Sequence, residues 1–256
     1  MLLGLALLGL AACGSEARLS GGAGGLGFEP AYQSPYDPQN LIEENGRFSY
    51  AQDGQVVSRT GIDVSAYQGS IDWEAVAADG IDFAILRLGH RGYTEGSIYL
   101  DERFEENLRG AEAAGVPVGV YFFSQAITEQ EAIEEARFVL ETLDGRELAY
   151  PVVYDFEPVS DVSGRANGLN ARQLTKNASA FCTTIEEGGY PAMLYGNARD
   201  ISHYYLDLLE GYDIWFAEYG TRFPTGKFDF TIWQYTNAGS VAGISGNVDM
   251  DLEFMP

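Results

Sequence analysis

Residues 115–157 read GVPVGVYFFSQAITEQEAIEEARFVLETLDGRELAYPVVYDFE, and the fold turns on this stretch. Gly115 ends a helix, and Pro117 to Phe123 is an apolar run of strand length. Thr128 with Glu131 forms a capping box that starts a helix, and Gly145 closes it before a second apolar run from Pro151 to Phe156. Strand, helix and strand in this order are the repeating unit of a parallel β/α architecture. The same alternation extends outward on both sides. Upstream, Gly61 to Ser65 is a strand, Asp72 caps a helix with Trp73, Val76 and Ala77 on one face, and Phe83 to Leu88 is a second strand. Phe104, Leu108 and Ala111 then recur at helical spacing. Downstream, Asn170 and Gln173 form a second capping box, with Leu174, Ala178, Phe181 and Ile185 along the buried stripe. Further strands are read at Ala192 to Tyr195, Ile214 to Tyr219, Thr231 to Tyr235 and Val248 to Leu252. About eight strands in about 200 residues lie at the lower end for a complete barrel, so the expectation is an irregular TIM-like (β/α) barrel with some helices shortened or missing.

The N-terminal quarter has a different character. Met1 to Ala12 is an uncharged apolar run, too short to span a bilayer as a mature helix, and it stops at Cys13. This is the pattern of a secretion signal. Gly14 to about Glu44 is rich in Gly, Ser, Pro and Asn and reads as a flexible tether. Phe48-Ser49-Tyr50 and Gln55-Val56-Val57 flank Asp53-Gly54, which predicts a small hairpin. The expected organisation is a signal at 1–12, a tether with hairpin at 13–57, and a barrel at 58–256, with no repeat and no second module after it.

Charge and composition remove several classes of function. The 15 basic and 38 acidic residues give a formal charge of −23, which would be repelled by phosphate backbones and anionic headgroups alike. Nucleic-acid binding and charge-driven membrane docking are therefore not expected. The 2 histidines, His90 and His203, and the 2 cysteines, Cys13 and Cys182, stand outside H-x-x-x-H and C-x-x-C frames, so neither a metal nor a cofactor is expected. The chemistry falls to carboxylates.

In β/α barrels the active site lies at the C-terminal ends of the strands. Four acids are read there: Asp63, Asp155, Glu157 and Asp249. Asp155 and Glu157 are two apart on one strand, so they point to the same side with Cα atoms ~6.6 Å apart. Two carboxyls this close cannot both ionise freely, and one held protonated near neutral pH can serve as a general acid for glycoside hydrolysis. Acids at a strand end also cap helices or bind water, and for Asp63 and Asp249 an ion pair with Arg87 or Arg91 is the structural alternative.

Gly61-Ile-Asp-Val-Ser-Ala-Tyr-Gln-Gly, Ile71-Asp-Trp, Gly119-Val-Tyr-Phe-Phe-Ser, Val153-Tyr-Asp-Phe-Glu and Trp233-Gln-Tyr-Thr, in this order, resemble glycoside hydrolase family 25 from Gly61 to the C-terminus. Members of that family are lysozymes that cut the β-1,4 bond between N-acetylmuramic acid and N-acetylglucosamine. The resemblance implies an irregular barrel and net retention. It implies Glu157 as acid/base and Asp155 as the partner that stabilises charge or orients the acetamido group, with Asp63, Asp249 and Gln234 lining the groove. Tyr121 and Tyr219 are expected as groove aromatics, whereas Tyr154, Trp215, Trp233 and Tyr235 include core residues. One segment departs from the family: Lys-x-Ser/Thr-Glu-Gly is replaced by Arg87-Leu-Gly-His-Arg91, and His90 is either a sugar contact or a loop histidine bonded to backbone. Leu10-Ala-Ala-Cys13 resembles a lipobox without the preceding basic residues, which implies lipidation of Cys13, anchoring of a monomer on the outer face of a bacterial cytoplasmic membrane, and peptidoglycan as partner. Cys182 is then a small core residue. The alternatives are a catalytically silent glycan-binding lipoprotein and a chitinase of glycoside hydrolase family 18, which places Asp residues upstream where Val152, Val153 and Tyr154 stand here.

Overall fold

The computed structural model describes residues 32–255, so the expected signal, Cys13 and most of the tether lie outside the described residues. Three short strands, β1 (Leu41–Glu44), β2 (Arg47–Gln52) and β3 (Gln55–Val56), form an antiparallel sheet. Its turns, Asn45-Gly46 and Asp53-Gly54, have positive φ at both central residues, the geometry that matches the right-handed twist of a two-residue hairpin. The tether expected to run to Glu44 stops earlier. Tyr36 stacks on Phe254 at 4.0 Å and donates to the Phe230 carbonyl, and β1 pairs with β2. Aromatic burial outweighs a polar composition here.

The barrel is built from β4 (Ser58–Val64), α1 (Trp73–Ala78), β5 (Phe83–Arg91), β6 (Ile98–Leu100), α2 (Phe104–Ala114), β7 (Val118–Phe123), α3 (Glu129–Leu143), β8 (Val152–Asp155), α4 (Ala171–Glu187), β9 (Ala192–Asn197), α5 (Ala198–Ile201), β10 (Asp213–Ala217), β11 (Ile232–Gly239) and β12 (Val248–Phe254). Eight strands close in the order β4-β12-β11-β10-β9-β8-β7-β5, with β4 pairing β5, while β6 adds to the β5 edge. The irregularity is of two kinds. Helices α1 and α5 are short and none separates β10, β11 and β12. In addition, β12 runs antiparallel to both its neighbours, so the barrel is not wholly parallel.

Alternation along the strands separates two cores. Phe83, Ile85, Val153, Met193, Trp215 and Ile232 fill the barrel interior, whereas Ala84, Leu86, Val120 and Val152 face outward against buried residues of the helices such as Leu108, Val139 and Phe181. Gly61 takes an interior position because a Cβ there would overlap the Phe83 ring, so the smallest residue on β4 makes room for a large one on β5. Helix starts follow the sequence in part. Asp72, Thr128 and Asn170 each accept from the backbone N–H three residues on. The reciprocal halves of the two expected boxes are diverted: Glu131 binds Arg165 and the Ile127 N–H, and Gln173 binds Asn177. Cys182 is buried on α4, as expected.

Candidate active site

Strand register brings the four acids to one end of the barrel. Asp155 closes β8 opposite Phe123, and Glu157 follows two residues later. The Gln125 side chain donates to the Glu157 carbonyl at 2.9 Å, and the Ser124 N–H to the Asp155 carbonyl at 2.7 Å, which fixes the strand's exit. Asp63 is the penultimate residue of β4 and faces Asp249 on β12. Asp249 does not lie where its strand runs out, as the sequence had implied. It is the second residue of β12, and only the reversed direction of that strand brings it to the same mouth.

A cavity of about 630 Å³ is lined by Asp63, His90, Tyr121, Asp155, Glu157 and Asp249, among others. A second, of about 400 Å³, lies on the other side of Glu157 and is bordered by Tyr195, Asn197 and Tyr219. Glu157 therefore stands between the two cavities and lines both. Tyr121 lines the first cavity and Tyr219 the second. Tyr154, Trp233 and Tyr235 are buried in the outer core, and Trp215 is in the barrel interior, so these four contribute packing.

Among the described residues, Asp63 and Asp249 have no ion pair of the kind considered above. Arg87 pairs with Asp101 and Arg91 with Glu135, which leaves Asp63 and Asp249 without a guanidinium. Asp63 instead accepts from Gln234 Nε2 at 2.6 Å, and Gln234 Oε1 accepts from Tyr195 at 2.8 Å and Tyr219 at 2.5 Å. Gln234 is buried and lines neither cavity; it ties the floor of the groove to its aromatic wall. Burial pushes Asp63 well above the carboxylate range, helped by Asp251 and Asp249 nearby. Burial also lifts Asp155, with the neighbouring Glu157 adding to the effect. Glu157 rises to about 7 through burial and the charges of Asp200 and Asp249, and burial takes Asp249 to about 6. A carboxylic acid that keeps its proton near neutral pH, beside a second carboxyl, can donate that proton to a leaving oxygen.

A β-bulge in β5 shapes one wall. Arg87 pairs with Tyr121 but Gly89 pairs with Phe122, so His90 is turned to the same face as Phe123. His90 is therefore a strand residue at the cleft, stacked on Tyr99 at 5.4 Å, with Nδ1 lacking a protein partner. The backbone-bonded loop alternative does not describe it. Three residues of the site escaped the sequence. Asp251, which accepts from Trp215 Nε1, repeats the alternation that placed Asp249. Tyr67 stands 87% exposed in a 3-10 turn beyond β4, with the Arg87 guanidinium 4.9 Å from its ring centre. Asp200 lies on α5, a helix too short to announce itself. Among the described residues, no group of His, Cys, Asp and Glu is arranged to hold a metal ion.

Paired carboxyls at the mouth of a β/α barrel are the arrangement that glycoside hydrolysis requires. Residues 62–244 match the model for Glycosyl hydrolases family 25, and the chain belongs to that family. It is 28% identical over 191 residues to an autolytic lysozyme of Clostridium acetobutylicum, covering 75% of this chain and 54% of the other. It is 31% identical over 202 residues to Lysozyme M1 of Streptomyces globisporus, covering 74% of this chain and 65% of that protein. The chain thus spans about half to two-thirds of the length of these relatives. Among solved structures, the modular autolysin LytC from Streptococcus pneumoniae in complex with a synthetic peptidoglycan ligand superposes with a TM-score of 0.69 at 23% identity, over 84% of this chain and 52% of that one. That likeness supports the irregular barrel.

Proposed function

We propose that this protein is a muramidase that hydrolyses the β-1,4 bond between N-acetylmuramic acid and N-acetylglucosamine in peptidoglycan. The observation that carries the proposal is the placement of Asp155 and Glu157 in one cleft with groove on both sides of Glu157. The peptidoglycan ligand of the LytC structure and the lysozyme relatives support the choice of substrate. Glu157, protonated near neutral pH, gives its proton to the glycosidic oxygen as the bond to the anomeric carbon breaks and the electron pair leaves with that oxygen. Asp155 stabilises the positive charge that develops on the anomeric carbon or holds the substrate's 2-acetamido group against it. Glu157, now a carboxylate, then takes a proton from the water that completes hydrolysis.

Digestion of purified peptidoglycan with the folded part of the chain tests this. New muramic acid reducing ends support the proposal. Glucosamine reducing ends overturn it, and binding without cleavage transfers the protein to the glycan-binding class. The apolar run ending at Cys13 supports a second element: signal cleavage before Cys13, acylation of its thiol, and anchoring on the outer face of the cytoplasmic membrane. Two acyl chains hold a protein stably without help from charge. The Cys13→Ser variant should fail to incorporate labelled fatty acid and leave the membrane fraction; unchanged labelling would refute the anchor.

A further inference from the structure

The groove is lined with acids, yet one wall carries cations. Of these, Arg91 is fully engaged within the wall. Its guanidinium is 5% exposed and donates to Glu135, to the Gly96 carbonyl and to the Glu131 carbonyl. Arg87 is different. Its Nε and Nη2 both engage the Asp101 Oδ2 atom at 2.7 Å, and its Nη1 has no hydrogen-bond partner among the described residues. Asp101 cannot follow a ligand, because its carboxylate is buried and held by the backbone N–H groups of Ala66 and Arg103. The guanidinium is further fixed across the face of Tyr67. Arg87 is therefore a rigidly mounted cation with one edge unfilled, in the cavity that contains Asp155 and Glu157.

Its distance from the reacting bond is set by the sheet. Arg87 pairs with Tyr121, which pairs with Val153, and Asp155 is two residues further along β8. Two strand spacings and two residue rises separate the Cα atoms of Arg87 and Asp155 by ~12 Å. Both side chains line the same cavity. The bulge turns His90 into the same wall, where its ring stacks on Tyr99 and lines the cavity beside Arg87, with Nδ1 itself buried.

Among the described charged groups lining this cavity, Asp63, Asp155, Glu157 and Asp249 are carboxyls and Arg91 is engaged within the wall, so the place for an anion is against the unfilled edge of Arg87. Of the two sugars of the repeat, only muramic acid bears an acid, the carboxyl of its lactyl ether. In wall glycan that carries stem peptides this carboxyl is an uncharged amide. We propose that Arg87, with His90 beside it, binds the free lactyl carboxylate of a muramic acid next to the scissile bond, so that the preferred substrate is glycan stripped of its stem peptides. This rests on the muramidase function proposed above. The class of reaction that must supply such a substrate is hydrolysis of the amide between the lactyl group and the peptide.

The test compares kcat/KM on peptide-bearing glycan and on the same glycan after amidase treatment. The wild-type protein should favour the stripped strands by about tenfold or more, the size of a hydrogen bond to a charged group. The Arg87→Gln variant, whose amide still reaches Asp101, should bring that ratio close to one; a ratio cancels any general loss of activity. A wild-type ratio at or below one, or an unchanged ratio in the variant, overturns the proposal. Should Arg87→Gln fail to fold, the wild-type protein decides alone: N-acetylmuramic acid should inhibit at least about tenfold more tightly than its lactyl methyl amide, and equal inhibition refutes carboxylate recognition. Failure of the wild type to cleave either glycan would overturn the muramidase function instead; direct binding of the same two compounds, measured by calorimetry, would then report on Arg87, with equal binding refuting carboxylate recognition.

Discussion

Raising the pH from 6 to 8 should remove most of kcat/KM for the proposed cleavage of peptidoglycan, and the size of the loss follows from Glu157. Burial and the nearby Asp200 and Asp249 place its carboxyl at about 7. As the general acid it is active only when protonated, so about nine-tenths of the enzyme is competent at pH 6 and about one-tenth at pH 8, a fall of close to tenfold. The neighbours supply a finer test. Asp200 is 4% exposed, and its carboxylate accepts from the Asn197 side chain, a bond that an amide oxygen can also accept. Asp200→Asn therefore keeps the cap on α5 while removing a like charge. Loss of that charge makes ionisation of Glu157 easier, which moves the alkaline limb toward lower pH by about one unit, the effect of a charge acting across ~10 Å at an effective dielectric near 20. Initial rates of reducing-end release at constant ionic strength between pH 5 and 9 read both effects. A flat profile through pH 8, or a limb that stays in place in a folded Asp200→Asn protein, would refute the assignment of Glu157 as the acid.

Four further outcomes follow from the packing of the barrel and its site. Glu157→Gln should lower turnover by about 10²–10⁴-fold while leaving the far-ultraviolet circular dichroism unchanged. The same variant should melt higher than wild type at pH 8: folding raises this carboxyl's affinity for its proton, so its cost to stability grows as pH climbs from about 4.5 and is complete above about 7. Gly61→Ala should cost about 1–3 kcal/mol in urea denaturation, because the added methyl collides with the Phe83 ring in a closed interior. Gln234→Leu removes the donor to Asp63 and the acceptor for Tyr195 and Tyr219, so stability should fall by about 1–3 kcal/mol for each buried group left unpaired, with activity falling alongside it; wild-type stability and rate in that variant would dismiss the network.

The parts of this molecule that were legible in its sequence are those written in local periodicity. Asp155 and Glu157 share a face because a strand alternates, and the apolar runs with their capping residues marked most of the barrel. Strand direction is not written that way: the run Val248 to Leu252 alternates identically whichever way it lies, so Asp249 was placed at the right mouth for the wrong reason. The bulge between Arg87 and Gly89 depends on how β5 meets β7, and no residue type announces it. Gln234 reads as a polar residue available for sugar, whereas the pleat turns it into the floor beneath Asp63. Between Tyr36 and Glu44 the polar composition concealed an aromatic anchor, and Tyr36 itself, followed by the hairpin aromatics Phe48 and Tyr50, was the available signal.

The pairing of β12 with β4 has a consequence for the order of events during synthesis. Asp63 leaves the ribosome 186 residues (249 − 63) ahead of Asp249, its partner across the β4–β12 pair. No chain that stops short of β12 can contain the four-acid mouth, because β12 is the strand that closes the barrel onto β4. Such long-range pairing folds slowly compared with local contacts. The strand that seals the barrel is therefore also the one that completes its set of acids, so closure of the fold and assembly of the mouth are a single event.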